Sequence, residues 1–128
     1  MCNILVVDDE ADVREAMSEE LEALGHKVYV VQDGQAALRW LADRGSRPPC
    51  LIILDLRMPR MDGWDFLERL RKQSDWIHLP VVVLSASLRR GEPRPVMRAQ
   101  AFWAKPPLEE DLRNISQHCE AHALKGVS

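Results

Sequence analysis

A chain of 128 residues is the size of one domain, and its 46% apolar and 29% charged residues describe a soluble globular fold with a substantial core. A net charge of −3 argues against nucleic-acid binding through bulk charge, and no stretch approaches the roughly 18 apolar residues that a membrane span needs. The three cysteines, Cys2, Cys50 and Cys119, lie far apart with no C-x-x-C or metal spacing, which reads as reduced packing thiols in a reducing compartment.

The opening MCNILVV carries no basic leader, and its apolar run is too short for a signal peptide, so a cytoplasmic protein is expected. NILVV (3–7) reads as a strand that runs straight into Asp8, Asp9 and Glu10. Over 11–25, Val13, Met17, Leu21 and Leu24 recur at i, i+4, i+8 and i+11. That is the stripe of an amphipathic helix, and Gly25 stops it at the C′ position. KVYVV (27–31) is a second strand, and Ala37, Leu38 and Leu41 mark a shorter helix over 34–44. After the turn chemistry of SRPPC (46–50), CLIIL (50–54) is a third strand that ends on a single carboxylate, Asp55. A helix over 63–73 follows an Asp62 N-cap, with Phe66, Leu67 and Leu70 on its apolar side. IHLPV (77–81) is again a turn, and VVVLS (81–85) is a fourth strand ending on Ser85. Segment 87–100 should hold a fourth helix, yet it contains Gly91, Pro93 and Pro95. Proline in a helix interior costs about 3 kcal/mol or more, so this helix is expected to be short and to start near Pro95. AFWA (101–104) is a fifth strand followed by Lys105 and Pro106, and Leu108, Leu112, Ile115 and Cys119 pattern a last helix over 108–122.

Strand–helix alternation implies β-α-β units with right-handed crossovers. The first, third and fourth apolar runs are continuous rather than alternating, the mark of parallel strands covered on both faces. In such a sheet ligands bind beyond the carboxyl ends of the strands. There the sequence delivers Asp8, Asp9, Asp55, Ser85 and Lys105. Taken singly, each has an ordinary structural reading: an N-cap, a strand end, a Lys-Pro turn. Together, at matching strand ends, they point to a site. Two carboxylates about 4 Å apart repel by roughly 4 kcal/mol at an effective dielectric near 20. The cluster must protonate, recruit Lys105 or bind a cation. All-oxygen ligands favour a hard ion, and one that keeps several waters fits Mg²⁺. A cation, an ammonium and a hydroxyl around one carboxylate suit a phosphoryl group in transfer, with Asp55 as nucleophile.

In ILVVDDE, LIILDLRMPRMDG, VVVLSA and AKP, in that order and near the usual spacings, the chain resembles the response-regulator receiver domain of two-component signalling. The resemblance covers about residues 3–120 of a single domain 1–128, leaving a tail at 121–128. It implies an α/β, flavodoxin-like, doubly wound five-stranded parallel sheet of order 2-1-3-4-5 with five helices, the fourth short or irregular. It also implies roles. Asp55 would be the phosphoacceptor, attacking the phosphohistidine of a sensor histidine kinase or phosphotransfer protein. Asp9 would ligate Mg²⁺ directly, with Mn²⁺ as the alternative. Asp8 would ligate through water and Arg57 through its backbone carbonyl. Ser85 would be the switch hydroxyl and Phe102 the switch aromatic. Lys105, ahead of a usually cis Lys-Pro bond, would pair with the phosphate. Pro59 and Gly63 would shape the neighbouring loop, and Arg57 and Ser87 would flank the phosphoryl group and tune its lifetime. The expected product is a signalling module rather than a turnover enzyme. It would be a monomer or weak dimer that switches a surface for a downstream protein, with no nucleic acid or membrane as partner.

The chain departs from the family pattern in places. Phe102 lacks the hydroxyl of a frequent Tyr, Pro107 and Leu108 replace a frequent Phe and Asp, and the interval from Ser85 to Lys105 is about two residues short. Arg89, Arg90, Arg94 and Arg98 make a basic cluster that reads first as a solvated loop, and His118 and His122 read as an exposed helix face. Three other functions compete. An aspartyl-nucleophile phosphohydrolase of the haloacid-dehalogenase kind needs an acid two residues after Asp55, where Arg57 stands. An FMN-binding flavodoxin needs an anion-binding loop after the first strand, where DDEAD would repel phosphate. A receiver that acts by binding alone would have no need of the full constellation.

Overall fold

The structure is a computed structural model that describes residues 3–44, 48–55, 63–74, 76–85 and 101–104, with the backbone alone at 85 and 101–104. The apolar runs become strands at nearly the expected places: β1 Asn3–Val7, β2 Lys27–Val31, β3 Leu51–Asp55, β4 Val81–Ser85 and β5 Ala101–Ala104. Helices α1 Ala11–Ala23, α2 Gly34–Arg44 and α3 Gly63–Lys72 connect the first four. All pairings are parallel, and the strand order is β2-β1-β3-β4-β5, the flavodoxin-like order that the sequence implied. The segments expected to form the fourth and fifth helices lie outside the described residues, as do the Asp62 cap and Pro59.

Continuous apolar strands follow from two covered faces. Leu5, Val7, Ile52, Leu54, Val81 and Val83 point to the side of α2 and α3, where they meet Ala37, Leu41, Phe66, Leu67 and Leu70. Ile4, Val6, Leu51, Ile53, Val82 and Leu84 point to the other side, against Met17 and Leu21 of α1. Alternate residues of one strand therefore serve opposite cores, and both sets must be apolar.

Gly25 has φ +96, its N–H donates to the Glu22 carbonyl at 2.9 Å, and the His26 N–H donates to Leu21 at 3.1 Å. These are the two bonds of a Schellman cap, and the positive φ is why glycine stands there. The cap corrects one expectation. Leu24, read as the last residue of the α1 stripe, is the C-cap and is 43% exposed, while His26 beyond the turn is buried. α2 starts on a cap that the sequence reading did not identify: buried Asp33 accepts the Ala36 N–H at 2.8 Å. After α3, the Arg71 guanidinium donates to the carbonyls of Trp76, Ile77 and Leu79 at 3.2, 3.1 and 2.8 Å, which ties the α3–β4 turn. β3 is shifted by one residue from the expected 50–54. Cys50 only donates its N–H to Asn3, and Asp55 lies inside the strand, opposite Leu84.

At the β2 edge, the Tyr29 and Trp40 rings meet in a tilted contact with centroids 5.1 Å apart, with the Arg44 guanidinium 5.1 and 4.9 Å from the two rings and the Lys27 ammonium 5.6 Å from Tyr29. Hydrogen bonding from Lys27, opposed by partial burial, holds the Tyr29 phenol below its ordinary value, and Arg44 acts in the same direction. Because the pKa is depressed in the folded state, the linked stabilisation is absent at neutral pH and appears as pH rises through the folded value. Tyr29 is the sole tyrosine, so phenolate absorbance of the folded chain reports it alone. The expected midpoint lies below that of the unfolded chain, and Lys27→Met raises it; a midpoint indifferent to that substitution would contradict the assignment.

Candidate functional site

The chain leaves β1 toward β2 on one side and returns to β3 on the other. The crevice between the carboxyl ends of β1 and β3 is therefore the switch point of the sheet, where ligands bind in open α/β folds. Val7, the last residue of β1, is paired with Val31 and with Leu54, so the residues that follow β1 stand beside Asp55, the last residue of β3.

Asp8 continues the line of β1. Its N–H donates to the Val31 carbonyl at 3.1 Å, its Oδ1 accepts the Glu10 N–H at 2.8 Å, and its carbonyl accepts Arg14 Nη1 at 2.6 Å. It is 2% exposed, and Asp55 is 3% exposed. Asp9 and Glu10, one and two residues on, are exposed. One carboxylate oxygen from each of Asp8, Asp9, Glu10 and Asp55 lies within 4.8 Å of all the others. The arrangement is two buried acids as a floor and two exposed acids as a rim.

At that separation each charged pair repels by about 3 kcal/mol for an effective dielectric near 20. A divalent cation among the oxygens removes the repulsion without protonating any acid. The donor set passes the test for Mg²⁺ or Mn²⁺. Every ligand atom is a hard oxygen, and the exposed rim leaves room for the waters that such an ion retains.

Asp8, Asp9 and Asp55 come together as expected. Glu10 joins them, although the sequence reading placed it at the same strand end without a role. The backbone of Ser85 is paired with Ala104, one residue beyond the Asp55–Leu84 pair, which sets Ser85 at the same rim as Asp55. The backbone of Phe102 lies opposite Val83. Lys105, Arg57 and Ser87 lie outside the described residues. Arg14 was missed, and its signal was available: it is the only basic residue of α1, set among Asp12, Glu15, Glu19, Glu20 and Glu22.

A family profile described as the response regulator receiver domain matches residues 4–116. The KDP operon transcriptional regulatory protein KdpE of Escherichia coli K12 is 35% identical over 108 residues, which are 83% of this chain and 45% of that protein. The probable transcriptional regulator ycf27 of Porphyridium aerugineum is 39% identical over 83 residues, and the chain covers 32% of it. The chain thus spans less than half the length of these curated relatives. Among solved structures, the signal receiver domain of a histidine kinase from Syntrophus aciditrophicus superposes with a TM-score of 0.80 at 31% identity, covering 94% of this chain and 91% of that one. The receiver domain of sensor histidine kinase PA1611 from Pseudomonas aeruginosa PAO1 also gives 0.80, at 27% identity over 94% and 98% of the two chains; that structure has a magnesium ion coordinated in its active-site cleft. Among the described residues, no helix is long and apolar enough to cross a membrane.

Proposed function

The chain belongs to the response regulator receiver domain family, and from that premise we propose that Asp55 is its phosphoacceptor. An Asp55 carboxylate oxygen attacks the phosphorus of a phosphohistidine on a sensor histidine kinase or phosphotransfer protein. A P–O bond forms, the P–N bond breaks, and the imidazole leaves with the bonding pair and takes up a proton. The product is an acyl phosphate on Asp55. Hydrolysis of that bond resets the module, so the chain acts on itself rather than turning over a substrate.

Placement is the first contribution of the protein. Asp55 ends β3 and is paired with Leu84 of β4, so the sheet fixes the backbone that carries the nucleophile. Charge is the second. Asp9 and Asp55 would hold Mg²⁺ directly, Asp8 through water and Arg57 through its carbonyl, and the ion would neutralise the acids and the phosphoryl oxygens. Ser85 and Lys105 would donate to those oxygens, at the ends of β4 and β5. Phosphorylation adds charge and acceptor oxygens there, and the response of Ser85, Lys105 and Phe102 would bias the surface offered to a downstream protein. Arg57 and Ser87 would flank the phosphoryl group and set its lifetime. The reading places the chain in the cytoplasm as a monomer or weak dimer, and the free thiol of Cys50 suits a reducing compartment.

The observation that carries the reading is the convergence of four carboxylates within 4.8 Å at the switch point, with one of them on the end of a buried strand. Acetyl phosphate with Mg²⁺ should add one phosphoryl group per chain, measured by intact mass, and EDTA should prevent it. No uptake in Mg²⁺ would refute the proposal.

A further inference from the structure

A cation near the start of a helix works against the partial positive charge there. Arg14 is the fourth residue of α1, and its side chain is half-buried rather than spread into solvent. The reason lies at Asp8. The Arg14 guanidinium donates to the Asp8 carbonyl at 2.6 Å, and the Arg14 N–H donates to the Glu10 carbonyl at 3.1 Å. Asp8 is also held through its N–H by Val31 and through its carboxylate by the Glu10 N–H. The bond to Val31 is a backbone bond that the fold supplies, and the bond from Glu10 uses the carboxylate of Asp8 itself. Arg14 adds a hold on the Asp8 carbonyl that a substitution outside the acid cluster removes.

We infer that Arg14 is a positioning residue for the divalent cation. By anchoring the Asp8 peptide from below, it sets where the carboxylates of Asp8, Asp9 and Glu10 meet that of Asp55. The inference rests on the reading of this acid cluster as a cation site. Its sign separates it from simple electrostatics. If the charge of Arg14 were what mattered, its removal would tighten cation binding; if the anchor matters, removal loosens it. The contact is to a carbonyl rather than to a carboxylate, and the rim is open to water that screens charge, so the anchor dominates.

The test is calorimetric titration of the whole chain with MgCl₂, with Mn²⁺ binding by electron paramagnetic resonance as a second readout. It is run at a temperature where circular dichroism shows every variant folded. Arg14→Met keeps the aliphatic stem and deletes the donors; it should bind about tenfold more weakly, as loss of a ligand-orienting partner typically does. Arg14→Lys restores a donor and the charge and should bind more tightly than Arg14→Met. Affinity in Arg14→Met equal to or above wild type overturns the inference, even if its melting temperature in EDTA falls, because that pattern is a purely structural role. A Lys variant no tighter than the Met variant overturns it too. Asp9→Ala separates the two failures. If the wild type takes up no Mg²⁺, or Asp9→Ala binds as the wild type does, the cation reading itself is wrong.

Discussion

Asp55→Asn takes up no phosphoryl group from acetyl phosphate and Mg²⁺ under conditions that label the wild type, a loss of at least about 10³-fold in rate. The substitution is close to isosteric, so the pairing of β3 with β4 opposite Leu84 survives. What disappears is the nucleophile: an amide nitrogen has no free pair to attack phosphorus, and an amide oxygen is too weak. The same change removes one of four mutually repelling carboxylates from a cluster no wider than 4.8 Å. In metal-free buffer Asp55→Asn therefore melts above the wild type. The wild type gains more from added Mg²⁺, because an ion that binds only the folded state stabilises it in proportion to the logarithm of its concentration. Labelling of Asp55→Asn to the wild-type stoichiometry would move the acceptor to another residue of the cluster.

The second large effect is on stability. Phe66→Ala should lower the unfolding free energy by about 3–5 kcal/mol, the cost of a lost aromatic side chain plus the cavity that it leaves. Phe66 is fully buried in α3 and is the largest of the fully buried side chains among the described residues. Its cluster joins α3 to β1, β3, β4 and α2, so no single element can relax to fill the space. For a domain of this size the melting temperature should fall by roughly 10–20 °C. Urea denaturation checks it, and a midpoint within error of the wild type would mean that this side of the sheet does not carry the core. Asp55, at the end of β3, should still bind Mg²⁺ at temperatures where the variant stays folded, because the apolar cluster and the acids occupy different parts of the strand.

Much of this was legible beforehand, and the reason is locality. Whether Ile52 or Leu54 belongs to a strand depends on neighbours within a few residues, and continuous apolar runs reveal two covered faces without any coordinates. Stopping signals are equally local: Gly25 as the C′ residue of α1 needs only its own freedom at positive φ. The errors arose where a local cap competes with the helical period or stands outside it. Leu24 fits the helical stripe by spacing, yet the turn at Gly25 carries it off the core and buries His26 instead. Asp33, read past entirely, is buried because the Ala36 N–H gives its carboxylate a partner.

The amino-acid order alone determined a parallel α/β sheet with acids at the carboxyl ends of its strands, because period, breakers and the position of charge relative to apolar runs are properties of short segments. It placed Asp8, Asp9 and Glu10 side by side without showing which of them would be buried. Only the tertiary structure buried Asp8 and left its two neighbours exposed, since that depends on Val31 across the sheet accepting the Asp8 N–H and on Arg14, a turn of helix away, holding its carbonyl. The meeting of these acids with Asp55, more than forty residues on, is likewise a matter of strand order, which is settled by the packing of helices on both faces.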